Sequence, residues 1–140
     1  MPAMLTTPKP PRAKCSIAQV APSLAPFAGQ VVLADVNDTP ELLYRTQLST
    51  VGSLYHRNAA GFVRLRDAWR SQGTSGHVPS AVAATGATLL LMCGTATRSS
   101  MADDGPPDTL WDEVSGRRPP PWLHELPLSP DGGFRLYQVR

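Results

Sequence analysis

The sequence predicts an α/β domain: a small three-layer, Rossmann-like fold with a mostly parallel sheet and a C-terminal edge strand. Short apolar runs of strand length alternate with runs of helical length over residues 16–93, as in βαβ units. The strongest runs are apolar throughout, which is typical of parallel strands buried on both faces. The last run, residues 134–139, alternates apolar and polar side chains, as a half-exposed edge strand does.

The length and charge of the chain restrict its class. Its 140 residues predict one domain, residues 15–140, after a flexible proline-rich lead-in over residues 1–14. The net charge of +2 is small and the basic residues are scattered, so no nucleic-acid partner is expected. The longest apolar run, residues 87–93, is far shorter than the ~20 residues that cross a bilayer. We therefore expect a soluble chain. Residues 1–14 contain no apolar stretch of the kind found in a secretory signal.

The first half of the chain predicts two helices and two strands. Ser16 can cap a short helix, which Pro22 would kink or delay because proline lacks an amide hydrogen. Residues 30–34 are a β-branched run with the length of a buried strand. Pro40 occupies the favoured first helical position, and residues 41–45 continue as a short helix. Residues 48–51 predict a second strand.

The middle of the chain contains the clearest helix and the strongest strand. Over residues 59–70, apolar side chains share one side and charged ones the other, and Asn58 can cap the start. A short helix over 79–85 then leads into a buried strand at 87–93. After a polar loop, Asp108 can cap one more small helix, which extends to residue 115.

The last part of the chain predicts an extended segment and a final strand. Residues 117–123 contain three consecutive prolines, which exclude a helix interior. Trp122 is expected to anchor this segment against the core rather than to bind a ligand. A turn signal at 130–133 precedes the predicted edge strand.

The densest group of hydrogen-bonding side chains is the run Tyr55, His56, Arg57 and Asn58, between a predicted strand and a predicted helix. Backbone amides at such a helix start, with Arg57, can hold an anion, and His56 can exchange protons near neutral pH. In the structural alternative, Tyr55 packs, His56 bonds to a neighbouring loop and Asn58 caps. Arg57 then pairs with Asp35 or Glu41. Asp35 ends the first strand, where ligands meet open α/β sheets, but it can equally cap the next turn.

No complete catalytic, cofactor or metal motif accompanies this run. The sequence has no glycine-rich nucleotide loop, no HExxH motif and no serine elbow, so we assign no catalytic residue and expect no cofactor. His77 and His124 are expected in loops, which gives no support for a metal site. Cys15 and Cys93 form no CxxC motif; they are either two buried thiols or one disulfide.

Several of these runs together resemble a known kind of domain. They resemble the C-terminal soluble domain of large bacterial polytopic membrane proteins, which look like membrane glycosyltransferases that use lipid-linked sugar donors. The run from Tyr55 to Asn58 is the most specific part of the resemblance. The runs that carry it are residues 32–35, 40–46, 54–58, 87–93, 120–123 and 134–137.

The resemblance implies both a setting and a set of site residues. It implies a disulfide between Cys15 and Cys93 and a location on the periplasmic side of the inner membrane. The implied partners are the transmembrane part of the parent protein and a sugar or lipid-linked sugar. The positions that it makes candidate ligand-binding residues are Asp35, Thr46, Tyr55, His56, Arg57 and Asn58.

Three functions are consistent with the sequence. In the first, the chain is a non-catalytic extracytoplasmic domain that contributes to acceptor binding or organises the membrane active site, because the catalytic carboxylate of such enzymes is expected among the transmembrane helices. In the second, it is a free-standing small enzyme or binding protein that uses Asp35 and His56 on a phosphorylated or sugar ligand. In the third, it is an interaction module that works through residues 119–123.

Overall fold

The computed structural model describes residues 15–51, 59–72, 76–94, 109–116, 118–128 and 133–140. In these ranges the chain forms one five-stranded sheet. The strands are β1 (Val31–Leu33), β2 (Ser49–Thr50), β3 (Leu89–Cys93), β4 (Leu123–Leu126) and β5 (Phe134–Val139). Their order across the sheet is β2-β1-β3-β5-β4.

One side of the sheet is parallel. β1 pairs in parallel with β2, where Val32 lies opposite Thr50, and with β3, where Val32 lies opposite Leu89. All three strands lie inside the predicted runs, although each is shorter than its run. Parallel neighbours need a crossover connection, and the intervening segments supply it with helices. The α/β class is therefore confirmed, with the parallel arrangement restricted to this half of the sheet.

The other side of the sheet is antiparallel and corrects the predicted edge. β5 pairs with β3 on one side and with β4 on the other, so β5 is an interior strand and β4 is the edge. The prediction of a C-terminal edge strand was wrong. β4 was missed because it follows the prolines directly, and because its two central side chains, His124 and Glu125, are polar and exposed. His124 thus lies in this strand rather than in a loop.

The described ranges contain five α-helices; the first precedes β1 and the other four lie between strands. Within the described part of the chain, none of them is long and apolar enough to cross a bilayer. The longest has the bounds that the sequence predicts. The helices are α1 (Ile17–Leu24), α2 (Thr39–Arg45), α3 (Ala59–Arg70), α4 (Ser80–Ala83) and α5 (Leu110–Ser115).

The caps explain where two of the helices start. The Ser16 hydroxyl oxygen accepts a hydrogen bond from the Gln19 amide at 3.2 Å, as predicted, and α1 runs on through Pro22. The predicted cap of α5, Asp108, was wrong. Thr109 holds that position, because its hydroxyl accepts from the Asp112 amide while the Asp112 carboxylate accepts from the Thr109 amide, each at 3.3 Å.

A hydrophobic cluster lies on each face of the sheet. Successive strand residues point to opposite faces, and Leu89 and Leu90 accordingly belong to different clusters. Trp122 is buried in the first cluster, as expected of an anchor. The first cluster includes Leu33, Leu65, Trp69, Val82, Leu90, Met92, Trp111, Val114, Trp122 and Tyr137. The second includes Ile17, Val20, Leu24, Val32, Leu42, Leu89, Leu91, Phe134 and Leu136.

A disulfide fastens the start of the domain to the centre of the sheet. It joins Cys15, two residues before α1, to Cys93, the last residue of β3. Their Cα atoms lie 5.7 Å apart, inside the range of about 4.4 to 6.8 Å that disulfides occupy. The pairing that the resemblance implied is therefore present, and the alternative of two free thiols is not.

Candidate functional site

The topology defines one edge of the sheet as the candidate site. Helix α2 connects β1 to β2, and its Leu42 lies in the second cluster. The connection from β2 to β3 contains α3, whose Leu65 and Trp69 lie in the first cluster, on the opposite face. The connection that leaves β1 packs on one face of the sheet and the connection that enters β3 packs on the other. A crevice is therefore expected outside the carboxyl ends of β1 and β3, where open α/β sheets bind ligands.

Asp35 lies at this edge and acts as a cap. It precedes a 3-10 turn, Val36–Asp38, and its carboxylate accepts a hydrogen bond from the Asn37 amide at 3.2 Å. The structure thus shows the role in local backbone structure that the sequence left as one of two alternatives. A role for Asp35 in ligand binding stays a prediction.

Thr46 lies at the opposite edge of the sheet from Asp35. It follows α2 and precedes β2, and because β1 and β2 are parallel, the start of β2 is remote from the end of β1. The Thr46 hydroxyl donates to the Leu42 carbonyl at 2.6 Å and accepts from the Leu48 amide at 3.2 Å. These bonds close the turn between α2 and β2, and the structure does not bring Thr46 together with Asp35.

The run Tyr55, His56, Arg57 and Asn58 lies outside the described residues. The described chain leaves β2 through Val51 and resumes at the first residue of α3. The run therefore follows a parallel strand, as the sequence predicted. The binding roles of its four side chains, and the capping of α3 by Asn58, stay predictions.

Next to Asp35, the structure reveals a carboxyl group with an altered proton affinity. Burial raises the pKa of Asp38 to about 6, with smaller contributions from the negative charges of Asp35 and Glu41. Glu41 itself pairs with Arg45, one helical turn later, at 2.7 Å. Asp38 was not among the predicted site residues; the spacing of three residues between the carboxyl groups of Asp35, Asp38 and Glu41 was the available signal.

Two buried tryptophans hold the backbone at the end of β1 in place. The Trp69 indole Nε1 donates a hydrogen bond at 3.0 Å to the carbonyl of Ala34, the residue that follows β1. The Trp111 ring meets the Trp69 ring edge to face, with centroids 4.9 Å apart and planes at 74°. Trp69 and Trp111 are fully buried, so the backbone just before Asp35 is fixed by a rigid aromatic pair.

Arg135, which was not among the predicted site residues, lies near the end of β3. Arg135 of β5 lies opposite Met92, one residue before the end of β3. Its Nη1 donates to the Tyr137 hydroxyl at 3.4 Å, and its Nη2 is buried with no hydrogen-bond partner in the described part of the chain. In the sequence, Arg135 was only the polar member of an alternating strand pattern.

The described residues contain no group of three or more side chains that could hold a metal ion. At this edge the geometry therefore offers a partly buried carboxyl group, a fixed strand end and a guanidinium. These groups can bind and orient a polar ligand.

The comparison with solved structures yields a similar fold. The chain is similar to the C-terminal globular domain of an oligosaccharyltransferase from Archaeoglobus fulgidus. The TM-score is 0.58, the sequence identity is 12%, and the similarity covers 79% of this chain and 86% of that one. No protein-family model and no curated protein matches the sequence. At this identity the similarity concerns the fold.

Proposed function

We propose that the chain is a non-catalytic, extracytoplasmic domain of a membrane glycosyltransferase-like protein. Its role is to contribute to acceptor binding or to organise the active site of the membrane part. The observation that carries the proposal is the similarity in fold to a domain of an oligosaccharyltransferase, which extends over most of both chains. We also class the arrangement of helices on both faces of the sheet as three-layer and Rossmann-like.

Two further observations support this proposal. The disulfide between Cys15 and Cys93 is of the kind that persists in oxidising compartments, which agrees with a position on the periplasmic side of a bacterial inner membrane. The Asp38 carboxyl group and the Arg135 guanidinium, described at the carboxyl edge, are suited to binding a polar ligand. The transmembrane part of the parent protein is the proposed partner, and a sugar or lipid-linked sugar is the proposed ligand.

An activity assay tests the non-catalytic role. The purified chain is incubated with a mixture of lipid-linked sugars and peptide or glycan acceptors, and products are followed by mass spectrometry. We expect no transfer by the chain alone. Transfer above the level of a heat-denatured control would contradict the proposal and favour a free-standing enzyme. Segments of ~20 apolar residues encoded immediately upstream of Met1 would support the membrane partner.

A pair of matched variants tests the proposed binding edge. His56→Ala changes the run that follows β2, whereas His124→Ala removes an exposed histidine from β4, on the other side of the sheet. We expect His56→Ala to weaken the binding of a sugar phosphate, measured by calorimetry, and His124→Ala to leave it unchanged. Equal affinities of the two variants would remove His56 from the proposed site.

A further inference from the structure

One nitrogen of the Arg135 guanidinium, Nη2, is buried without a hydrogen-bond acceptor among the described residues. The bond from Nη1 to the Tyr137 hydroxyl, at 3.4 Å, is long for a hydrogen bond. Neither of the two ion pairs formed within the described ranges involves Arg135. A buried guanidinium is unfavourable unless acceptors surround it, so an acceptor must come from elsewhere.

The guanidinium of Arg135 lies beside the backbone of Gly94, the residue that follows β3. A Cβ atom at Gly94 would lie 3.7 Å from the Arg135 Nε and 3.0 Å from the Gly133 carbonyl oxygen. The Gly94 amide donates to that carbonyl at 2.8 Å, which holds the two backbones together. The Arg135 Nε therefore lies within van der Waals reach of the backbone at the end of β3.

Arg135 lies at the edge of the sheet where a ligand is expected to bind. Arg135 is opposite Met92, and β3 ends one residue later, at Cys93. This is the carboxyl edge of β1 and β3, where the crevice is expected. Ligands of open α/β sheets bind outside the carboxyl ends of the strands at this point. The forked donors of a guanidinium fit the paired oxygens of a phosphate or carboxylate, which supply the missing acceptors.

We propose that Arg135 binds an oxyanion, the phosphate or carboxylate group of a ligand, at the carboxyl end of β3. The inference goes beyond the proposed function, because an oxyanion site here does not require that the parent protein transfers sugars. Failure of one proposal therefore leaves the other standing.

The test is an NMR titration of the ¹⁵N-labelled full chain with sodium phosphate, and separately with sodium acetate, at constant ionic strength. We expect a saturable shift of the Arg135 Nε–H resonance with at least one anion. A stronger response to phosphate or to acetate identifies the class of ligand. Arg140 is the matched internal control, since it lies just after the other end of β5 and its Nη2 donates to the Gln138 side chain at 3.3 Å.

Variants give the size of the effect. We expect Arg135→Met to weaken binding by about tenfold or more, the factor that a charge-assisted hydrogen bond is worth. Arg135→Lys should retain part of the affinity, because it keeps the charge but loses the fork. Arg140→Met should bind like the unmodified chain.

Two results would overturn the proposal. One is equal affinity of the Arg135→Met and Arg140→Met variants for the anion. The other is an Arg135 Nε–H resonance whose chemical shift does not change with either anion. That result is expected if an acidic side chain of the protein supplies the acceptor. The second measurement uses the unmodified chain, so the proposal stays testable if a variant fails to fold.

Discussion

Removing the disulfide between Cys15 and Cys93 is expected to cause a large loss of stability. The variant carries Cys15→Ser and Cys93→Ser together, so that no free thiol is left, because the chain has only these two cysteines. The crosslink closes a loop with a sequence separation of 78 residues. In the unfolded chain, that loop restricts the conformations available to more than half of the domain.

The separation of the two cysteines sets the size of the effect. In the chain-entropy model, a closed loop of this length stabilises the folded state by about 4.5 kcal/mol at 25 °C. Single domains have free energies of unfolding of about 5 to 15 kcal/mol, so this loss is a large fraction of the total. We expect Tm to fall by about 10 to 20 °C for a domain of this size. Helix α1 still buries Ile17, Val20 and Leu24, so it should remain docked in the folded variant.

Urea unfolding followed by tryptophan fluorescence measures the effect, because Trp69, Trp111 and Trp122 are all buried. The unmodified chain is measured with and without reductant, and the double variant likewise. Reductant should lower the midpoint of the unmodified chain to that of the variant and leave the variant unchanged. Midpoints that agree among all four samples would refute the reasoning, as would alkylation of two thiols in the native, unreduced protein.

Three further predictions concern single residues. Trp69→Phe removes the donor to the buried Ala34 carbonyl and should cost about 1 to 3 kcal/mol in urea unfolding, apart from the lost ring volume. Thr109→Ala removes the capping box of α5 and should cost about 1 kcal/mol by the same assay, with Ser80→Ala, at an uncapped helix start, as the control. Asp38 has a pKa of about 6 in the folded protein, above the value of an unfolded aspartate, so the folded state binds more protons between about pH 4 and 6. Stability should therefore decrease by about 1 to 2 kcal/mol as pH rises through this window, less than the full linkage value because the carboxyl group keeps some contact with water. Asp38→Asn should remove this slope.

The outcomes that would contradict these predictions are specific. Thr109→Ala and Ser80→Ala with equal stabilities would exclude an energetic role for the cap. A slope between pH 4 and 6 that persists in Asp38→Asn would assign it to other groups, and Glu125→Gln, which changes an exposed carboxylate on β4, shows what a solvated group contributes. A Trp69→Phe variant with unchanged stability would mean that the Ala34 carbonyl finds another donor.

The parallel half of the fold could be predicted because its signals are local. The runs that contain β1 and β3 are apolar enough to mark strands buried on both faces, and α3 has the predicted bounds because its apolar side is continuous. Strand order is not local. Phe134–Val139 alternates like an edge strand, yet Leu123–Leu126 lies beyond it and forms the edge of the sheet. The central polar pair of Leu123–Leu126 gives no strand signal. Which of two strands forms the edge depends on pairing between distant segments, and the periodicity of one segment does not encode that pairing.

The candidate site was predictable only in its position. Asp35 and the run after β2 follow parallel strands, and the sequence shows this from the order of elements alone. That Thr46 faces the other edge follows only from the parallel pairing of β1 and β2. The environment of Asp38 and the missing acceptor of Arg135 depend on burial by residues distant in sequence, so the residue types could not reveal them.

The disulfide and Arg135 both lie at the carboxyl end of β3. Cys93 ends β3, and a Cβ atom at Gly133 would lie 3.3 Å from the Cys15 Sγ, so the crosslink lies against the backbone that precedes β5. Arg135 lies two residues after Gly133, in β5. A covalent tie at this point limits the movement of the backbone that carries the guanidinium, which lowers the ordering cost of binding an oxyanion there. The crosslink therefore supports the proposed site as well as the stability of the domain.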